Sequence, residues 1–155
     1  MNLSELNILL ADDDKDDCLF FEEAIAGLIP LTNFTAVHDG EKLMQLLNDE
    51  TGKLPHILFL DLNMPRKNGF ECLAEIKQNK KIKKLPVVIF STSFEQEVVN
   101  RLYDNGAQYF IRKPSEFSLF KKIILHTLNL IMQAAKVTQP AKEDFVLTME
   151  DSFTI

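Results

Sequence analysis

The stretch Ile57-Leu58-Phe59-Leu60-Asp61, ILFLD, decides the fold. Successive strand side chains point to opposite faces, so four apolar residues in a row need cover on both sides. Strands of that kind belong to parallel sheets sheathed by helices. The run stops abruptly at a carboxylate. Working outward, Ile8–Ala11 is another brief apolar run ended by charge, and Val87–Phe90 and Tyr109–Ile111 repeat the form. Phe34–Val37 is a fifth, weaker strand candidate.

Amphipathic segments separate these runs. Cys18, Phe21, Ile25 and Leu28 recur at helical spacing, which predicts a helix over Asp16–Leu28 stopped by Pro30. Asp39-Gly40 turns the chain into a short helix marked by Leu43, Leu46 and Leu47. Phe70, Leu73 and Ile76 outline the next. Val98 and Leu102, with Phe94 as a further candidate, face inward from a fourth helix closed by Asn105-Gly106. Phe117, Phe120, Ile124, Leu128 and Ile131 form one stripe on the last. Five repeats of strand then helix predict an α/β fold, a doubly wound five-stranded parallel sheet with helices on both faces. Ligands of such sheets bind outside the carboxyl ends of the strands.

The 155 residues suit one domain with a proper core, and 46% hydrophobic with 26% charged residues is an ordinary globular balance. A net charge of −6 argues against nucleic acid as a partner. The one dense basic run, Lys80, Lys81, Lys83 and Lys84, reads as a solvated helix end and loop. Cys18 and Cys72 lack CxxC spacing and are expected as reduced core residues. No apolar run has the length of a membrane span, and the N-terminus lacks the pattern of a signal peptide. A cytoplasmic location is expected.

The residues just past each strand carry the chemistry. The first strand delivers Asp12 and Asp13, the third Asp61, the fourth Ser91 and the fifth Lys113. Singly, each has a simpler reading as a helix cap or a solvated loop residue. Jointly, three carboxylates, a hydroxyl and an ammonium would meet at one sheet edge. Clustered carboxylates repel one another, which raises at least one pKa unless a cation relieves them. Mg2+ takes one or two carboxylates, keeps waters and accepts phosphate oxygens. Such a set suits phosphoryl transfer onto Asp61 as the nucleophile, yielding an aspartyl-phosphate.

The segments ILLADDD, ILFLDLNMPRKNGFECL, VVIFSTS and AQYFIRKP, in this order and spacing, resemble the receiver domain of bacterial two-component response regulators, the chemotaxis-regulator-like (βα)5 flavodoxin-like fold. The match spans roughly positions 6 to 133. The resemblance implies Mg2+ (or Mn2+) on Asp13, Asp61 and the backbone carbonyl of Asn63, with Asp12 acting mainly through water. It implies phosphorylation of Asp61 by a sensor histidine kinase or a histidine phosphotransfer protein. Lys113 would contact the phosphoryl group, with Pro114 often preceded by a cis bond, and Ser91 would move toward that group. Phe110, the switch aromatic, would fill the space that Ser91 leaves, altering the surface around the fourth helix, fifth strand and fifth helix. Thr92 departs from the small residue usual at its position and is expected to narrow the path to Asp61. Asp16 and Asp17 exceed the family's need and read as favourable charge in a helix's first turn. Asp14 has no assigned role.

The receiver is expected over residues 1–135 and a separate tail over 136–155. The tail reads as a loosely ordered terminus, or as an arm docked on its own domain or on a partner's sheet edge. Phe145, Leu147, Met149, Phe153 and Ile155 favour docking. The tail is too short for a DNA-binding module, so output to a downstream protein partner, phosphoryl relay or a phosphate sink is expected. DLNMPRKNG and STS resemble small single-domain regulators associated with phytochrome-type kinases, a group that dimerises through the last helix and strand; a homodimer is expected. The chain reads as a phosphoacceptor, not an enzyme, with at most self-catalysed phosphorylation and dephosphorylation. A phosphatase of the haloacid dehalogenase type would carry an Asp where Asn63 stands. A dinucleotide-binding domain would need GxGxxG where Ala11-Asp12-Asp13-Asp14 stands. A receiver that binds partners without phosphorylation fits poorly with the intact Asp13, Asp61, Ser91 and Lys113 set.

Overall fold

A computed structural model describes residues 6–26, 32–134 and 138–148. Strands β1 (Leu6–Ala11), β2 (Thr32–Val37), β3 (Ile57–Leu60), β4 (Val87–Ser91) and β5 (Tyr109–Arg112) alternate with helices α1 (Lys15–Ile25), α2 (Gly40–Leu47), α3 (Gly69–Gln78), α4 (Gln96–Asp104) and α5 (Phe117–Gln133). All pairings are parallel, in the order β2-β1-β3-β4-β5-β6, where β6 (Val146–Leu147) is a short strand from the tail. The expected doubly wound sheet is present, extended by that sixth strand. Winding reverses between β1 and β3, so the crevice at their carboxyl ends is the natural ligand position.

Period-two alternation splits each strand between two cores. Leu9, Ala11, Leu58, Leu60, Val87, Ile89 and Phe110 face the buried sides of α2, α3 and α4. Ile8, Leu10, Ile57, Phe59, Val88, Phe90 and Ile111 face α1 and α5. There Phe21 meets Phe59 edge-on at 4.7 Å and Phe90 meets Phe120 at 5.2 Å. Both cysteines are buried and free. Burial pushes the Cys18 thiol up to about 12 and the Cys72 thiol up to about 11, so neither is a thiolate at neutral pH.

Several helical details differ from the sequence pattern. α1 ends at Ile25, and Leu28 and Pro30 lie outside the described residues, as do Val137, Met149, Phe153 and Ile155. In α4 the buried pair is Val99 and Leu102, with Val98 only half-buried; Phe94 precedes the helix and is exposed. In α5 the buried stripe is Phe120, Ile123, Ile124, Thr127 and Leu128. Phe117 turns sideways to meet Phe20 of α1 at 5.9 Å instead. Lys80, Lys81, Lys83 and Lys84 are exposed, as expected.

Asp14, unassigned from sequence, is the N-cap of α1. Its side chain accepts from the backbone N–H of Asp16 at 2.9 Å and of Asp17 at 3.2 Å, two donors the helix itself cannot satisfy. Asp14→Ala is expected to destabilise the protein by about 1 kcal/mol in denaturant melts, with Asp14→Ser recovering most of the loss.

Residues 138–148, the described part of the tail, dock on this domain. Phe145 is 1% exposed, stands edge-on to Tyr103 at 5.1 Å, and its carbonyl accepts from the Phe110 N–H at 3.0 Å. Tyr103 Oη donates to the Pro140 carbonyl at 2.7 Å, and Gln139 Nε2 donates to the carbonyls of Tyr103 and Ala107. β5, the strand expected to serve a dimer, therefore has its outer edge paired with β6. No described helix is long and apolar enough to cross a membrane.

Candidate functional site

The sheet's ladder continues one step past its strands and fixes the first two carboxylates. The Asp12 N–H donates to the Val37 carbonyl at 3.0 Å, and the Asp61 N–H donates to the Ala11 carbonyl at 2.9 Å. Asp12 is fully buried, Asp61 is 6% exposed and Asp13 is exposed. α3 begins directly against this corner, with the Gly69 N–H on the Leu62 carbonyl at 2.9 Å. A Cβ at Gly69 would collide with the Asp61 carbonyl oxygen and Leu62 Cα, so only glycine allows that approach.

From the other side β5 supplies Lys113, whose N–H donates to the Ser91 carbonyl at 2.8 Å. Its ammonium lies 2.7 Å from Asp12 Oδ2, 2.8 Å from Asp17 Oδ2 and 3.7 Å from Asp61 Oδ2. The sequence reading thus brings Asp12, Asp13, Asp61 and Lys113 to one place, and it missed Asp17. Asp17 was assigned to the helix start alone, yet its side chain reaches back from the first turn of α1 to the strand ends.

Burial raises the pKa of Asp12, opposed by its hydrogen bond and attraction to Lys113. Burial also pushes the Asp61 carboxyl up to about 7, with Lys113 pulling down and the Asp12 charge pushing up again. Burial alone would lower the Lys113 pKa, but the Asp12 hydrogen bond, with Asp17 and Asp61, outweighs it and holds the ammonium charged well above its ordinary range. The pocket holds more negative charge than one lysine balances. Oxygen atoms of Asp12, Asp13 and Asp61 all lie within 4.8 Å of one another, an all-oxygen set suited to a hard divalent cation. The backbone of Asn63 hydrogen-bonds to Asp61, placing that residue beside the cluster.

Ser91 is fully buried at the end of β4, and its Oγ accepts from the Ser93 N–H at 3.3 Å and lies 3.3 Å from Ser93 Oγ. Thr92 is exposed. Phe110 is fully buried beneath Phe94, ring centroids 5.9 Å apart. Its ring lies in the interior, and its backbone N–H is tied to the Phe145 carbonyl at 3.0 Å. The described residues contain no cis peptide bond, so Lys113–Pro114 is trans, where the resemblance implied a frequent cis bond.

Known proteins share this fold. Residues 8–125 match the response regulator receiver domain family. The chain is 33% identical over 121 residues to response regulator Rcp1 of Synechocystis sp., covering 75% of this chain and 82% of that protein. The structure of the phosphorylated cyanobacterial phytochrome response regulator RcpA aligns with a TM-score of 0.80 and 31% identity, over 89% of this chain and all of that one. The Mn2+-bound form of Rcp1 aligns with a TM-score of 0.77 and 29% identity, over 88% of this chain and 99% of that one. With this family match over most of its length, the chain belongs to the response regulator receiver domains of two-component signalling.

Proposed function

We propose that Asp61 is the phosphoacceptor of a divalent-cation-dependent signalling switch. The observation that carries this reading is the Asp12–Asp13–Asp61 oxygen cluster with the Lys113 ammonium 3.7 Å from Asp61 Oδ2. Asp12, Asp13, Asp61 and the Asn63 carbonyl would hold Mg2+ or Mn2+, which when bound neutralises charge on the transferring group. A relative, Rcp1, is known in an Mn2+-bound form. A phosphohistidine on a kinase or phosphotransfer protein donates: an Asp61 oxygen bonds to phosphorus, the phosphorus–nitrogen bond breaks, and the freed imidazole takes a proton. Lys113 and the Ser91 hydroxyl hold the phosphoryl oxygens.

The new charge draws Ser91 toward Asp61. Because Ser91 pairs with Arg112 across the sheet and Phe110 is backbone-bonded to Phe145, that shift loads β5 and the docked arm together. The surface of α4, β5 and α5 then changes for a downstream protein. A relay or sink role uses the same chemistry and differs only in where the phosphoryl group goes next.

Incubation with acetyl phosphate and Mg2+ is expected to add the mass of one phosphoryl group to the intact protein. Chelation with EDTA should abolish the gain, and Mn2+ should restore it. A gain that persists undiminished in EDTA would overturn the metal-dependent reading.

A further inference from the structure

Lys113 has three N–H donors and three carboxylates around it, and the way they are shared gives Asp17 a role. Two donors are committed, at 2.7 Å to Asp12 and 2.8 Å to Asp17, while Asp61 at 3.7 Å is beyond hydrogen-bond range. Asp12 and Asp61 both belong to the oxygen cluster that fits a divalent cation. The ammonium and a cation therefore compete for Asp12. Lys113 is only 6% exposed, so losing Asp12 with no other acceptor would leave its charge buried and unpaired. Asp17 lies outside the cluster, and among the described residues it is the one carboxylate ion-paired with Lys113 that a cation need not use.

We propose that Asp17 is a positioning residue for Lys113, keeping the ammonium in place while Asp12 turns to the metal. This inference rests on the phosphoacceptor reading. Asp17 is itself held: its N–H donates to Asp14 Oδ1 at 3.2 Å in the first turn of α1, and its side chain is 21% exposed. With Asp17 in place, one donor stays anchored and another is free to turn to Asp61 and its phosphoryl oxygens. Without it, Lys113 holds Asp12 more tightly against the metal. Helix-start charge alone does not account for the geometry, because Asp16 supplies that equally and makes no ion pair with Lys113.

The test is calorimetric titration of the full chain with Mn2+. Asp17→Asn should weaken Mn2+ binding about three- to fivefold, the size of a part-buried ion pair's coupling. Asp16→Asn removes the same charge one residue away and should change affinity by less than about twofold. Asp17→Glu should recover part of the loss. In a Lys113→Met background the Asp17→Asn effect should shrink to that of Asp16→Asn. Equal effects of Asp17→Asn and Asp16→Asn in the wild-type background would overturn the proposal even if the Lys113 variants fold poorly. So would an Asp17→Asn effect that survives intact without Lys113. Failure of the wild type to bind Mn2+ at all would overturn the phosphoacceptor reading instead, and Asp17's role with it.

Discussion

Lys113→Met is expected to destabilise the metal-free protein by about 3 kcal/mol at pH 8, lowering Tm by roughly 10 °C. The substitution keeps the apolar stem and removes the only cation that pairs with Asp12 and Asp61 among the described residues. Asp12 has no access to water, so its charge would stand uncompensated. The sign with pH follows. The folded pKa of Asp12 already lies above its unfolded value, and losing Lys113 raises it further. The cost is absent while both states are protonated, below about pH 4, and grows as pH rises toward the raised folded value. Thermal melts from pH 4 to pH 8 should therefore diverge steadily from the wild type. Saturating Mg2+ should close much of the gap, because it replaces the missing positive charge. A uniform loss at every pH, unaffected by Mg2+, would mean that Lys113 matters only for packing.

Asp61→Asn is expected to abolish phosphorylation by acetyl phosphate, a drop of at least about a hundredfold, because the amide oxygen is no nucleophile at neutral pH. It should also stabilise the metal-free protein. Asp61 titrates at about 7 in the fold against 3.8 unfolded, chiefly through burial, so its ionised form opposes folding. That penalty is absent below about pH 4 and complete above about pH 7. After allowance for solvent relaxation, the amide is expected to gain about 1–2 kcal/mol at pH 8 and nothing at pH 4. A variant both more stable and inert is the signature of a site whose strain serves function. A variant less stable than the wild type at pH 8 would contradict the charge reading of the cluster.

The strands most legible in sequence were those with the least choice. Ile57–Leu60 is buried at every position, and the sequence pattern and the structure share its bounds. β2 was weaker because it is an edge strand of mixed burial. The strand-end rule places Asp12, Asp13, Asp61 and Lys113 together, as the structure does, because a parallel sheet brings carboxyl ends together whatever the loops do. It could not find Asp17, whose place depends on where α1 starts and which way its first turn faces. Asp14 and Asp17 exchanged meanings for that reason: the residue with no role caps the helix, and the residue read as helix charge grips Lys113. The docked tail was legible only as surplus apolar residues. Its partner, the β5 edge with Tyr103 and Phe110, lies some way back along the chain, and two paired residues leave little periodicity to read.

The central claim is that Asp61, and no other carboxylate of the cluster, carries the phosphoryl group. Borohydride reduces an acyl phosphate to the alcohol, so treatment after incubation with acetyl phosphate and Mg2+ converts a phosphorylated aspartate to homoserine. Peptide mass mapping is predicted to show homoserine at position 61, dependent on Mg2+ and absent when borohydride acts on untreated protein. Homoserine at position 12 or 13, or nowhere in a protein that binds the cation, would contradict it.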